Sequence, residues 1–291
     1  MKDTVIVSAV QMPTKWLDLK ENIDYIKSSI AKAKNEDNAD LIVFPELSNT
    51  GYIKERDKKF GRQFIKYAEK IPGPSTEELG KQAKKYGVYL VVGLAEQHPE
   101  IPGMLYNAAV LINPKGELVG VHHKMHIPGE EKHYFMPGST CDTYKTDIGN
   151  IGMSICYDGQ FPEFTRSLAL KGAEILCMIW NMPSFSNPPE LLEHITATRA
   201  AENRMFAVSC NCERGQYIVA RLNEIKGISC LMPPGAFYAF PNVNGILKRE
   251  IKYKGNIIKN SFDLSNYILK EAEVAVVPGI AFEAEGYLRI S

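Results

Sequence analysis

Short apolar runs recur along the chain, each cut off by Pro, Gly or a charged residue. They fall at 4–10, 41–44, 88–94, 105–112, 118–123, 151–155, 174–180 and 206–211, the length and spacing expected of buried strands. Between them, helical periodicity appears near 18–35, 75–86, 162–171 and 188–203. Ser75-Thr76-Glu77-Glu78, just after Pro72-Gly73-Pro74, reads as a capping box that opens the second of these helices. Pro188-Pro189 would open the fourth, on which Leu191, Leu192, Ile195 and Ala200 are core positions. The alternation of strands and helices predicts an α/β fold. There is no internal repeat and no low-complexity linker.

The residues at the ends of three strands change the picture from architecture to chemistry. Ile151, Met153 and Ile155 stop at Cys156-Tyr157-Asp158-Gly159, and Phe161-Pro162-Glu163-Phe164 begins a helical pattern. A cysteine at such a junction meets the exposed N–H groups of a helix's first turn, which favour a thiolate. Taken alone, a free cysteine more often only packs. Asp40-Leu41-Ile42-Val43-Phe44-Pro45-Glu46 puts a carboxylate at a strand's mouth, where poor solvation suits it to act as a base. Leu118-Val119-Gly120-Val121-His122-His123-Lys124 runs into a polar turn, where Lys124 can hold a cation against developing negative charge. Glu, Lys and Cys at three strand ends supply a base, an electrophilic stabiliser and a nucleophile.

These segments carry a family resemblance. Leu41–Gly51 (LIVFPELSNTG), His122–Pro128 (HHKMHIP) and Gly152–Glu163 (GMSICYDGQFPE) resemble the three motifs of the nitrilase, or carbon–nitrogen hydrolase, superfamily. Ala9-Val10-Gln11-Met12 and Arg199–Arg204 also fit, so the resemblance covers roughly residues 4 to 213 in order. It implies a four-layer α-β-β-α sandwich and a Glu–Lys–Cys triad that attacks non-peptide amides or nitriles. By that resemblance Glu46 is the general base, Lys124 the oxyanion and orientation group, and Cys156 the nucleophile. Glu131 matches an assisting glutamate, with Glu130 beside it in the next register. The Tyr157 backbone N–H is a second oxyanion donor. Tyr52, Trp180 and Asn181 are candidates for the substrate pocket, although Tyr52 is equally readable as a packing residue. His-Ile-Pro followed by Glu-Lys-x-Tyr-Phe resembles N-carbamoyl-amine and ω-amide hydrolases more than true nitrilases. The implied chemistry requires no metal or organic cofactor, and the implied assembly is a homodimer or higher homo-oligomer.

Composition narrows the partners. Lys plus Arg and Asp plus Glu both number 34 in a chain of 291 residues, so no net field draws nucleic acid or acidic lipid. The start reads as a short strand rather than a signal peptide, and no apolar run approaches a membrane span. Six scattered cysteines suggest reduced thiols and a cytoplasmic location. Cys210-Asn211-Cys212 reads as a strand with one inward thiol, and the irregular spacing of His122, His123, His126 and His133 does not define a metal site. The expected partner is a small amide or ureido substrate.

Past position 213 the Gly-Ser strand, Pro-x-Gly hairpin and further strands of a superfamily hydrolase are not visible. The stretch 217–291 instead resembles the C-terminal end of a fold-type I, pyridoxal-phosphate-dependent aminotransferase. The matching blocks are Leu222–Cys230, Pro233–Pro241, Val274–Phe282 and Gly286–Ser291. Arg289 matches the arginine that grips a substrate α-carboxylate, but no Schiff-base lysine can be carried over. The expected organisation is therefore a hydrolase domain over 1–214, incomplete in its second sheet, and a small α/β appendage over 215–291. Either the tail supplies substitute strands, or the chain is a chimaera of two truncated enzymes. The readings that compete with an amide hydrolase are an aminotransferase-related protein, an inactive fusion and a non-catalytic scaffold.

Overall fold

The apolar runs pair into two sheets because each is long enough to bury and short enough to turn. The computed structural model describes residues 4–52, 64–182, 191–212, 222–231, 240–249, 251–253, 255–272 and 274–290, with their side chains except those of Glu130 and Asn256. The chain divides into two compact units, Met1–Glu213 and Arg214–Ser291.

In the first unit the order is β1 (Val7–Ala9), α1 (Leu19–Asp37), β2 (Leu41–Val43), α2 (Pro74–Tyr86), β3 (Tyr89–Gln97), β4 (Leu105–Ile112) and β5 (Leu118–His123). It continues with β6 (Thr143–Thr146), β7 (Gly149–Ile155), α3 (Pro162–Leu170), β8 (Ile175–Trp180), α4 (Leu191–Asn203) and β9 (Phe206–Asn211). One sheet runs β1-β2-β3-β4-β5 and the other β6-β7-β8-β9. β1, β2 and β3 are parallel, as are β7, β8 and β9, while β4, β5 and β6 pair antiparallel with their neighbours.

Alternation along β3 shows how the layers form. Leu90, Val92 and Leu94 pack with Ile26 and Ile30 of α1 and with Leu79 and Ala83 of α2. Tyr89 and Val91 face the other way and join Met153, Ile155, Cys177 and Ile179 of the second sheet. Leu168 of α3 and Leu192 of α4 close the far side. This is the α-β-β-α sandwich, and each fully buried Leu or Ile in it contributes about 1.5–3 kcal/mol. Among the described residues no strand pairs with the outer edge of β9.

Local signals account for the helix ends. Asp18 caps α1 by accepting the Glu21 N–H at 3.1 Å, and Asn38 ends it in the left-handed region with φ of 53°. The capping of α2 differs from the expected box. Gly73, not Ser75, is the cap, Pro74 is the first helical residue, and the Thr76 hydroxyl accepts the Gly73 N–H at 2.8 Å. The Ser75 N–H is drawn instead to the Glu69 carboxylate. β6 was not expected, because Thr143-Tyr144-Lys145-Thr146 has no apolar run; it forms an edge by pairing with β7. Pro188-Pro189 lies outside the described residues.

In the second unit, α5 (Asn244–Leu247) precedes the two-residue strands β10 (Lys252–Tyr253) and β11 (Asn256–Ile257). α6 (Ser261–Ala272), β12 (Val277–Pro278) and β13 (Leu288–Arg289) follow. Its main core is Val243, Ile258, Leu264 and Leu288. The Pro233–Pro241 block is described only from Phe240 onward.

Candidate active site

β2, β5 and β7 all end at one edge of the sandwich, so the residues just past them converge there. The Glu46 loop bends sharply over β3. A Cβ at Gly93 would lie 2.4 Å from the Pro45 carbonyl and 2.6 Å from the Glu46 Cα, so only glycine lets the two backbones meet. The Ser48 N–H donates to the Gly93 carbonyl at 2.7 Å and locks that approach. The carbonyl of Glu46 accepts from the Asn181 side-chain amide at 3.4 Å, which ties the loop to the end of β8.

Glu46 and Lys124 are completely buried, and Glu131 is nearly so. Lys124 Nζ lies 2.8 Å from Glu46 Oε1 and 2.9 Å from Glu131 Oε2. Asn107 Nδ2 donates to Glu46 Oε1 at 2.7 Å, and Tyr52 donates its hydroxyl to Glu131 Oε1. Glu46 Oε2 has no hydrogen-bond partner among the described residues. Burial alone would lower the Lys124 ammonium, but the charges of Glu46, Cys156 and Glu131 outweigh it and hold it well above the ordinary lysine value. Burial, reinforced by Glu46, pushes the Glu131 carboxyl up, against the pull of Lys124.

Cys156 opens a five-residue 3₁₀ turn, Cys156–Gln160, with φ of 46°. Left-handed backbone at a non-glycine residue costs on the order of 1–3 kcal/mol and persists only where its surroundings impose it. The sequence reading placed the thiol at the first turn of an α-helix. The helix α3 begins six residues later, and burial followed by the negative charge of Glu46 pushes the thiol well above its ordinary value. Burial and the Glu46 charge thus oppose a thiolate at Cys156, and Lys124 and the Asn181 backbone N–H favour one.

Asp158 fastens this turn to the lysine loop, a role that sequence reasoning did not assign to it. Its Oδ1 accepts the Met125 N–H at 3.1 Å, the His126 N–H at 2.9 Å and His126 Nδ1 at 2.9 Å. Its Oδ2 meets His122 Nε2 at 3.0 Å and the Ile155 N–H at 3.3 Å. Burial works to raise this carboxyl, but the hydrogen bonds from His122 and His126 prevail and leave it at about 2. The histidine cluster is thus split between carboxylates, His122 and His126 on Asp158 and His123 on Glu96. Among the described residues no group of three or more His, Cys, Asp or Glu side chains is placed to hold a metal.

Arg199 of α4 closes the turn from the other side, donating to the carbonyls of Gly159 at 3.0 Å and Gln160 at 3.1 Å. Trp180 is wholly buried, and its ring would sit 2.8 Å from a Cβ at Gly159. It packs against the Cys156–Gln160 turn at Gly159. The Tyr157 ring stands edge-on to Phe161. Arg289 lies in the second unit, with its guanidinium 4.8 Å over the Phe282 ring. Every described lysine of that unit is exposed. A Schiff-base lysine is a desolvated amine, so these residues do not fit pyridoxal phosphate.

The chain matches the carbon-nitrogen hydrolase family model over residues 6–230 and the aminotransferase class I and II model over 211–291. The first match runs past the break expected at 213 and overlaps the second. A probable nitrilase of Schizosaccharomyces pombe is 32% identical over 70% of this chain and 73% of its own. An omega-amidase of Xenopus tropicalis is 30% identical over 72% of this chain and 74% of its own. A solved structure of the amidase from Nesterenkonia sp. AN1 carries the acetamide moiety of fluoroacetamide covalently added at its active-site cysteine. It is 25% identical over 72% of this chain and 76% of its own, with a TM-score of 0.62. No helix among the described residues is long and apolar enough to cross a membrane. With three quarters of the chain matched and the same sandwich in place, this protein belongs to the carbon-nitrogen hydrolase family.

Proposed function

We propose that this hydrolase cleaves small amide or N-carbamoyl compounds through a Cys156 thioester. The observation that carries the reading is the placement of Lys124 Nζ between the carboxylates of Glu46 and Glu131, all three buried, beside a thiol on a strained turn. One cation against two carboxylates leaves an excess of negative charge, which keeps the thiol neutral until substrate arrives. Glu46 then takes the Sγ proton as sulfur bonds to the amide carbon. The carbonyl oxygen becomes an oxyanion facing Lys124 and the Tyr157 backbone N–H, each such donor worth about 2.7–4 kcal/mol in the transition state. The C–N bond breaks, and the nitrogen leaves as ammonia or amine with the proton from Glu46. Water, deprotonated by Glu46, hydrolyses the thioester and frees the thiol. General acid–base help of this kind contributes roughly 10²–10⁴-fold.

His-Ile-Pro followed by Glu-Lys-x-Tyr-Phe favours ω-amides and N-carbamoyl amines over nitriles, and the omega-amidase relative supports the first of these. The test is ammonia release from a panel holding all three classes, with intact-mass detection of an acyl adduct. Release that depends on Cys156, with the adduct on the peptide containing it, supports the reading. Turnover that persists in Cys156→Ala ends it.

A further inference from the structure

We infer that Asn107 is a positioning residue that determines which oxygen of Glu46 faces the Cys156 thiol; this rests on the proposed role of Glu46. Asn107 lies on β4, between β3 and β5, and is completely buried. Its backbone carbonyl accepts the Lys124 N–H at 2.8 Å, and its side-chain Nδ2 donates to Glu46 Oε1 at 2.7 Å. One residue thus holds the backbone of the cation and the carboxylate of the base.

The two oxygens of Glu46 are consequently unequal. Oε1 is occupied by Asn107 and by Lys124 Nζ at 2.8 Å. Oε2 is buried and has no hydrogen-bond partner among the described residues. A carboxylate oxygen engaged by two donors is a poor proton acceptor, so Oε2 is the oxygen that takes the Sγ proton and later passes it to the leaving nitrogen. Without the Asn107 amide, Lys124 alone would hold the carboxylate, which would be free to rotate about its last torsion.

The other half of the same amide argues that the reason is chemical. Asn107 Oδ1 is buried with no hydrogen-bond partner among the described residues. A buried amide with one end unsatisfied costs the fold desolvation that an apolar side chain of similar volume would not. The side-chain hydrogen bond that Asn107 makes among the described residues goes to Glu46, the proposed general base.

The experiment uses the full chain and two near-isosteric variants, Asn107→Leu and Asn107→Asp. The first removes the donor, and the second turns an acceptor toward Glu46. Steady-state kinetics on the best amide of the panel are compared with thermal midpoints and with the rate of Cys156 alkylation by iodoacetamide, read by peptide mass. The expected result is a fall in kcat of about 10²-fold, the scale of a misplaced catalytic group, with KM changed by less than about threefold. The thermal midpoint of Asn107→Leu falls only modestly, because Lys124 still holds Glu46 Oε1, and Cys156 alkylation slows in both variants while Cys141 alkylation does not. Unchanged kcat and unchanged alkylation in either folded variant would overturn the inference. So would losses of activity that merely follow losses of thermal midpoint. If the parent protein hydrolyses no amide but Asn107→Leu still slows Cys156 alkylation, the functional reading fails and the positioning role stands.

Discussion

The two units of this chain handle charge and apolar surface in opposite ways. The first buries Glu46, Lys124, Glu131 and Asp158 in its interior and gives each a named partner, although Glu46 Oε2 has none among the described residues. The second has a core of a few side chains around Val243, Ile258, Leu264 and Leu288, and its strands are two residues long. It leaves Phe262, Ile280 and Leu231 exposed, the last at 90%. The difference is one of scale. A buried ion pair is tolerated only where the surrounding fold supplies geometry and extra hydrogen bonds, and four layers can do so. A small unit buries a smaller share of its surface and has less to offset the desolvation of a charge. Among the described residues, the wholly buried cation is Lys124 of the first unit.

The sharpest break of this comparison is Cys156→Ala. It should reduce amide turnover by at least about 10⁴-fold, while Cys177→Ala, within β8 and also buried, should retain it; ammonia release measures both. Next is Lys124→Met, which leaves two buried carboxylates without their cation. Urea unfolding should show a loss of about 3–5 kcal/mol in the first unit, and a negligible loss would mean that the interior is wetter than its burial implies. Leu264→Ala is the counterpart in the second unit. It should cost about 2–5 kcal/mol and speed amide hydrogen exchange in 240–290, leaving β3, β4, β7 and β8 protected.

A smaller effect comes with acid. The Asp158 carboxyl is lowered in the folded state from 3.8 to about 2, so the unfolded chain binds the proton first. The stabilisation, about 2 kcal/mol, is present above pH 4 or so and is lost as pH falls through about 2. Chemical denaturation between pH 5 and pH 2 should show this slope, and Asp158→Asn should flatten it. The smallest effect expected is that of Arg289→Ala, which should leave amide hydrolysis unchanged. A marked loss would place chemistry in the second unit and overturn the contrast.

Much of the first unit was legible because its signals are local. Apolar runs ending at Glu46, Lys124 and Cys156 marked strand ends, and the structure brings Glu46 and Lys124 within 2.8 Å. Helix boundaries fell within a few residues of expectation, except that the α2 cap moved back to Gly73. What escaped depends on partners distant in the chain. Asn107 meets Glu46 across 61 positions, and Asp158 meets His122 across 36. Gly93 carried a signal of its own, a glycine inside an apolar strand, that points to close backbone approach.

The sequence by itself determined the α/β class, the positions of most strands of the first unit and the identity of the groups at their ends, because side-chain periodicity and chain-breaking residues act over a few positions. Only the tertiary structure decided that burial pushes the Cys156 thiol up, that one oxygen of Glu46 is occupied while the other has no partner among the described residues, and that Asp158 fastens the lysine loop to the Cys156 turn. Those properties are set by burial and by the direction of individual hydrogen bonds, and neither exists until the two sheets have closed on each other.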